Sequence, residues 1–176
     1  VIGAGPIGLT VALWCRFFGA REVVVSEVAT TRAALARKMG ATAVIHPDLE
    51  RGAEGLLQQF ADVAVGPPDV IFECVGAPGL LQQCIEMAPH RGKIIPVGVC
   101  EQPDAILPFF GLVKELQIQF AIAYTRDDFE TCVAMLAERR IDIAPMITDI
   151  VSLDELPDAF EALRTPSTQC KVLTRM

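Results

Sequence analysis

The residues best suited to chemistry stand near the start of the chain. Gly3, Gly5 and Gly8 lie in the run V-I-G-A-G-P-I-G, and Glu27 closes the run V-V-V-S-E. Glycines at these spacings let a backbone close around a phosphate. Gly3 permits a tight turn out of a strand, and Gly5, lacking a Cβ, lets a pyrophosphate approach the main chain. Gly8 lets the following helix pack closely on that strand. Pro6 suits the first helical position, where its missing N–H costs nothing. The amides near Ile7 and Gly8, with the positive end of the helix dipole, then face an anion. Glu27 follows the glycines at about 20 residues, where an acid accepts hydrogen bonds from adenosine ribose hydroxyls. Its charge opposes a 2′-phosphate, so the expected ligand is NAD, not NADP. A glycine fingerprint alone is weak; joined to a helix, a second strand and an acid, it describes a dinucleotide-binding unit.

Such a site needs strands and helices in alternation, and the sequence supplies them. A helix is predicted over 6–18, with Ile7, Val11, Cys15 and Phe18 on one face and Gly19 ending it. Further strands are predicted over 22–26, 43–45, 70–74, 93–97 and 117–122. Helices are predicted over 31–39 and 48–61 (burying Leu49, Ala53, Leu56 and Phe60). Another is opened by Pro78, and a short one covers 109–114. This order implies right-handed crossovers and a six-stranded, mostly parallel sheet covered on both faces, a doubly wound α/β Rossmann fold. The chain then changes character. A helix over 127–140 carries Phe129, Cys132, Val133 and Leu136 on one face. A strand over 147–151 leads to a helix with a Ser152–Glu155 capping box and Leu156, Ala159, Phe160 and Leu163 on one face, and a last strand covers 171–174. The expected organisation is a nucleotide-binding domain over 1–124, a connecting helix over 125–146 and a C-terminal segment over 147–176.

The bulk figures narrow the function classes. A formal charge of −7 over 176 residues, without a Lys/Arg cluster, argues against nucleic acid and anionic membrane as partners. No apolar run reaches membrane-spanning length. Six scattered cysteines, none in a C-x-x-C pair, read as reduced thiols in a cytoplasmic protein. Only Val1 and Ile2 precede Gly3, whereas a strand runs about five residues, so the chain is expected to be a piece of a longer polypeptide.

With these pieces in place, the pattern resembles the nucleotide-binding half of the medium-chain dehydrogenase/reductase family, the zinc-type alcohol, polyol and threonine dehydrogenases. The matching stretches are V-I-G-A-G-P-I-G-L from Val1, V-V-V-S-E to Glu27 and R-x-x-x-A-R-K-M-G-A from Arg32. D-V-I-F-E-C-V-G from Asp69 and G-K-I-I-P-V-G-V from Gly92 complete the set. The resemblance implies that Glu27 takes the ribose place and that Arg32 lies beside the adenosine ribose. It implies that the cofactor crosses Cys74, Val75 and Gly76, and that backbone groups of Val97, Gly98 and Val99 hold the nicotinamide carboxamide. It also implies a homodimer through the edge strand, Leu116 to Ala123.

The departures from the family pattern matter as much. Relatives carry an N-terminal domain with Cys, His and Glu ligands for a catalytic zinc, and this sequence has no such pattern. His46 and His90 lack a Cys or His at ligand spacing. Cys170, with Lys171 beside it, seats where some relatives bring a basic residue to the pyrophosphate. No catalytic residue and no metal ligand is therefore assigned within the chain. Zinc is expected only in a full-length parent, which would pass hydride between an alcohol or polyol and NAD, while the chain alone is expected to be inactive. Two other readings stay open: a zinc-independent NAD(P)H reductase of the same superfamily, which Glu27 opposes, and a non-enzymatic nucleotide-sensing domain, which the C-terminal segment opposes.

Overall fold

The β-branched runs become short parallel strands lying side by side. The computed structural model describes residues 1–48, 50–164 and 169–176. The strands are β1 (Val24–Ser26), β2 (Ala43–Ile45), β3 (Val70–Glu73), β4 (Lys93–Pro96) and β5 (Gln117–Ile118). β1 pairs with β2, β3 with β4 and β4 with β5, all in parallel. Ile2 bridges both Ser26 and Glu73, again in parallel. The spatial order is thus β2, β1, Ile2, β3, β4, β5, with the chain start at the centre. Five strands are assigned in this sheet, and Ile2 alone holds the sixth position.

Helices α1 (Pro6–Phe17), α2 (Thr30–Lys38), α3 (Gly52–Ala61), α4 (Leu80–Met87) and α5 (Pro108–Val113) connect the strands. Successive strand residues point to opposite faces, so Val24 and Val25 enter different cores. Val24 joins Ile2, Ile45, Leu56, Ile71, Ile85 and Ile94 beneath α3 and α4. Val25 joins Ala4, Leu9, Ala12, Ala36 and Met39 beneath α1 and α2. Leu9, Met39, Ile85 and Ile94 are fully buried, each contributing roughly 2 kcal/mol of transfer free energy. The sheet is therefore doubly wound.

Several expectations are corrected. The core face of α1 is Gly8, Leu9 and Ala12, whereas Ile7 and Phe18 are exposed. Small residues win the inner face because the helix lies so close to the sheet. Gly79, not Pro78, caps α4; it has a left-handed backbone, and its N–H donates to Asp104 Oδ1 at 2.8 Å. The third helix begins at Gly52 because Asp48 forms a turn instead, accepting from the Glu50 N–H at 3.1 Å. Leu49 lies outside the described residues. The edge strand is assigned only to Ile118, yet its hydrogen bonds continue. The amides of Gln117, Gln119 and Ala121 donate to Gly92, Ile94 and Pro96 carbonyls at 3.1, 3.0 and 3.0 Å.

The C-terminal part comprises α6 (Arg126–Ala137), a 3₁₀ turn (Ala144–Met146), β6 (Ile147–Ser152), α7 (Leu156–Ala162) and β7 (Lys171–Arg175). Thr125 and Asp128 form a reciprocal capping box at α6. Ser152 and Glu155 also bond, at 2.8 Å, but in the turn before α7, whose N-cap is Glu155 and not Ser152. β6 and β7 pair in parallel as a separate sheet. The faces read as core on α6 and α7 are largely open, with Phe129, Val133, Leu136, Phe160 and Leu163 exposed. Met146 and Cys170, by contrast, are buried in the α1/α2 core. Among the described residues no helix is long and apolar enough to cross a membrane.

Candidate functional site

The glycine turn is built by close packing. Gly3 has φ of +92°, and a Cβ there would lie 2.6 Å from a Val75 methyl. At Gly8 a Cβ would overlap the carbonyl oxygen of Gly3. Only glycine lets α1 start this near the strand end. Gly5 is different: nothing lies within 4 Å of a Cβ built on it. Pro6 is the first helical residue, and the Leu9 N–H donates back to the Gly5 carbonyl at 3.0 Å. The amides ahead of Leu9, at Ile7 and Gly8, therefore face out of the helix end.

Glu27 directly follows β1 and is buried. Its Oε2 accepts from the Ala4 N–H at 2.8 Å. Its Oε1 accepts from the Ala29 N–H at 2.8 Å and from Arg32 Nη2 at 2.9 Å. Burial opposes its ionisation, but the Arg32 bond and the Ala29 and Ala4 amides outweigh this and hold the carboxyl below the usual glutamate range. Three of about four acceptor directions are taken, which leaves one on Oε2. Glu27 thus ties the glycine turn to the start of α2.

On the other side, β3 ends at Glu73, also buried. Successive strand residues point to opposite faces, so Glu73 and Cys74 do not act as a pair. The role of Glu73 is local: Oε1 accepts from the Val75 N–H at 2.7 Å and the Gly76 N–H at 2.9 Å. The Glu73 carbonyl accepts from the Val97 and Gly98 amides at 2.8 and 2.9 Å. Gly76 has φ of +75°, and a Cβ there would meet the Val99 amide at 2.5 Å; one at Gly98 would overlap the Gly76 amide. The two loops thus interlock backbone to backbone. Cys74 is half-buried, and burial pushes its thiol up to about 12, so it is no nucleophile. Val75 and Val99 present exposed side chains.

The structure thereby brings the predicted residues together. Contacts run from Arg32 to Glu27, Ala4, Gly3, Val75, Gly76 and Val99 along the carboxyl ends of the parallel strands. This is where an open α/β sheet binds ligands. The open space at Gly5, the outward amides and the free acceptor on Glu27 fit a dinucleotide. A cavity of about 630 Å³ lies elsewhere, lined by Glu22, Val23, Pro67 and Asp69 toward the amino ends of β1 and β3. Neither the Ile7 and Gly8 amides nor Glu27 belongs to its lining, so the chemistry favours the carboxyl edge. Among the described residues no group of three His, Cys, Asp or Glu could hold a metal. His90 lies 3.8 Å from Glu115.

Comparison with known proteins identifies the family. The family model described as zinc-binding dehydrogenase matches residues 6–138. L-threonine 3-dehydrogenase of Pectobacterium carotovorum is 34% identical over 167 residues, covering 94% of this chain and 47% of that protein. D-xylulose reductase of Saccharomyces cerevisiae is 32% identical, covering 92% and 46%. The chain thus spans about half the length of the curated relatives it matches. A crystal structure of an Escherichia coli alcohol dehydrogenase with NADH superimposes with a TM-score of 0.88 at 23% identity, covering 99% of this chain and 51% of that one. A zinc-binding dehydrogenase from Sinorhizobium meliloti bound to NADP superimposes at 0.82 and 28% identity, with coverage of 99% and 51%. The resemblance read from the sequence holds, and the chain belongs to the zinc-binding dehydrogenase family.

Proposed function

We propose that this chain is the NAD-binding unit of a cytoplasmic dehydrogenase acting on an alcohol, a polyol or a hydroxy amino acid. The observation that supports it best is the continuous edge from Glu27 through Gly8 to Gly98. The bound nicotinamide supplies a hydride acceptor; this chain's residues bind and orient it. The amides of Ile7 and Gly8 receive the pyrophosphate above Gly5. The open Oε2 direction of Glu27 receives a ribose hydroxyl, with Arg32 beside it. Cys74, Val75 and Gly76 flank the crossing, and the backbone of Val97, Gly98 and Val99 fixes the carboxamide. Zinc and the proton relay come from parts of the parent outside these residues, so the chain alone is inactive. In this reading the segment 147–176 returns toward that catalytic part, with 125–146 as the connection.

Calorimetric titration tests the reading. The chain binds NAD⁺ about tenfold or more tightly than NADP⁺, because a 2′-phosphate would face the Glu27 carboxylate. Glu27→Gln narrows the gap. Equal or tighter NADP⁺ binding would overturn the assignment of Glu27.

The same reading includes a homodimer through Leu116 to Ala123. Alternate amides of this strand are spent on β4, so those of Ile118, Phe120 and Ile122 point outward. Phe120 and Ile122 are largely exposed. An apolar strand edge of this kind is a surface that folded proteins cover, and a second copy offers its own match. Sedimentation should give a dimer at tens of micromolar, and Phe120→Lys or Ile118→Pro should give monomers that still fold. Proline at 118 removes an outward N–H and spares the ladder to β4. A monomeric wild type would overturn the dimer.

A further inference from the structure

Two carboxylates are buried at this edge, and they are not equivalent. Glu27 has Arg32 against it at 2.9 Å. Glu73 has no ion pair among the described residues. Its Oε1 is solvated by the Val75 and Gly76 amides, at 2.7 and 2.9 Å, which carry no net charge. Glu73 also sits where the loops after β3 and β4 meet, since its own carbonyl holds the Val97 and Gly98 amides. A buried carboxylate left without a cation attracts any positive charge brought to its surroundings.

We propose that Glu73 shifts the site's relative affinity toward the oxidised, positively charged nicotinamide and away from the reduced, neutral one. The inference rests on the cofactor reading above, which brings the nicotinamide end to Val75, Gly76 and Val97–Val99. NAD⁺ and NADH share their adenosine, riboses and phosphates, so the rest of the site treats them alike. They differ in the charge of the ring, and the unpaired carboxylate beneath these loops distinguishes them. Hydride acceptance neutralises the ring and forfeits that attraction, so Glu73 favours the bound oxidised form and weakens the hold on the reduced one.

The test titrates the whole chain with NAD⁺, NADH and ADP-ribose, which lacks the nicotinamide. Glu73→Gln keeps an oxygen for the Val75 and Gly76 amides and removes the charge. Affinity for NAD⁺ should fall about five- to tenfold, while NADH and ADP-ribose change by less than about twofold, as expected for a nearby unit charge. Glu73→Asp keeps the charge but shortens the reach to the loop, so all nicotinamide binding weakens while the NAD⁺ to NADH ratio stays at its wild-type value. Equal weakening of NAD⁺ and NADH by Glu73→Gln, or unchanged NAD⁺ binding, would reduce Glu73 to a loop anchor and overturn the proposal. If Glu73→Gln does not fold, a shifted ratio in Glu73→Asp overturns it instead. Failure of ADP-ribose to bind the wild type would refute the cofactor reading itself, and this inference with it.

Discussion

Replacing Gly8 with alanine should unfold much of the nucleotide-binding edge, costing about 3 kcal/mol and abolishing dinucleotide binding. The added methyl overlaps the Gly3 carbonyl oxygen and approaches Cys74 Cβ at 3.5 Å. Neither obstacle is the flexible end of a side chain. Gly3 is fixed by its own N–H, which donates to the Ser26 carbonyl at 2.8 Å, and by its left-handed φ. To make room, α1 must lift off the strand, and Leu9 and Ala12 leave the core with it. Gly5→Ala is the control: with open space around its Cβ, it should change stability by less than about 1 kcal/mol while still hindering a pyrophosphate. Urea unfolding with parallel calorimetric titration reads both effects. A Gly8→Ala protein as stable as the wild type would show that α1 does not rest on the glycine turn.

Glu27→Ala comes next in size, with an expected loss of about 2–3 kcal/mol. The substitution strands the buried Ala4 amide and removes the carboxylate from Arg32, whose Nε is already buried without a partner among the described residues. The guanidinium side chain is 28% exposed, so water recovers part of the loss, and the figure stays below that for a fully buried pair. The pH dependence has a definite sign. Because the folded carboxyl titrates below the unfolded one, its contribution is fully present above the usual glutamate value, about 4.3. It fades as pH falls through the lower folded value. The stability gap between wild type and Glu27→Ala should therefore be constant near neutrality and shrink in acid. Unfolding measured from pH 7 to pH 3 checks this. A gap that persists undiminished at the acid end would mean that the carboxylate's charge does not hold the turn.

These two positions were legible in the sequence because their physical reasons are local: the turn needs glycine, and the acid stands one crossover away. The alternation of strands and helices was legible for the same reason, through periodicity and turn residues. Glu73 was hidden by that same logic. Alternation along V-I-F-E-C correctly sends Glu73 and Cys74 to opposite faces, but a glutamate is long enough to fold back onto amides two and three residues ahead. Asp104 escaped notice because its partner, Gly79, is 25 residues away in an irregular stretch. The inner face of α1 was misassigned because pattern reading favours large apolar residues, whereas close approach to the sheet selected Gly8 and Ala12. On α6 and α7, amphipathic patterns marked faces that this chain does not itself cover.

Met146 and Cys170 share one apolar cluster with Ala4, Leu9 and Val25, and Ile143 packs against it. The portable nucleotide-binding module is therefore discontinuous in sequence. A graft cut after the fifth strand, at residue 124, would carry away the sheet and leave its lid behind. A chimera that is to keep the cofactor edge intact must take the 143–146 turn and the entry to the last strand along with the glycine turn, even though neither contributes an atom to the central sheet.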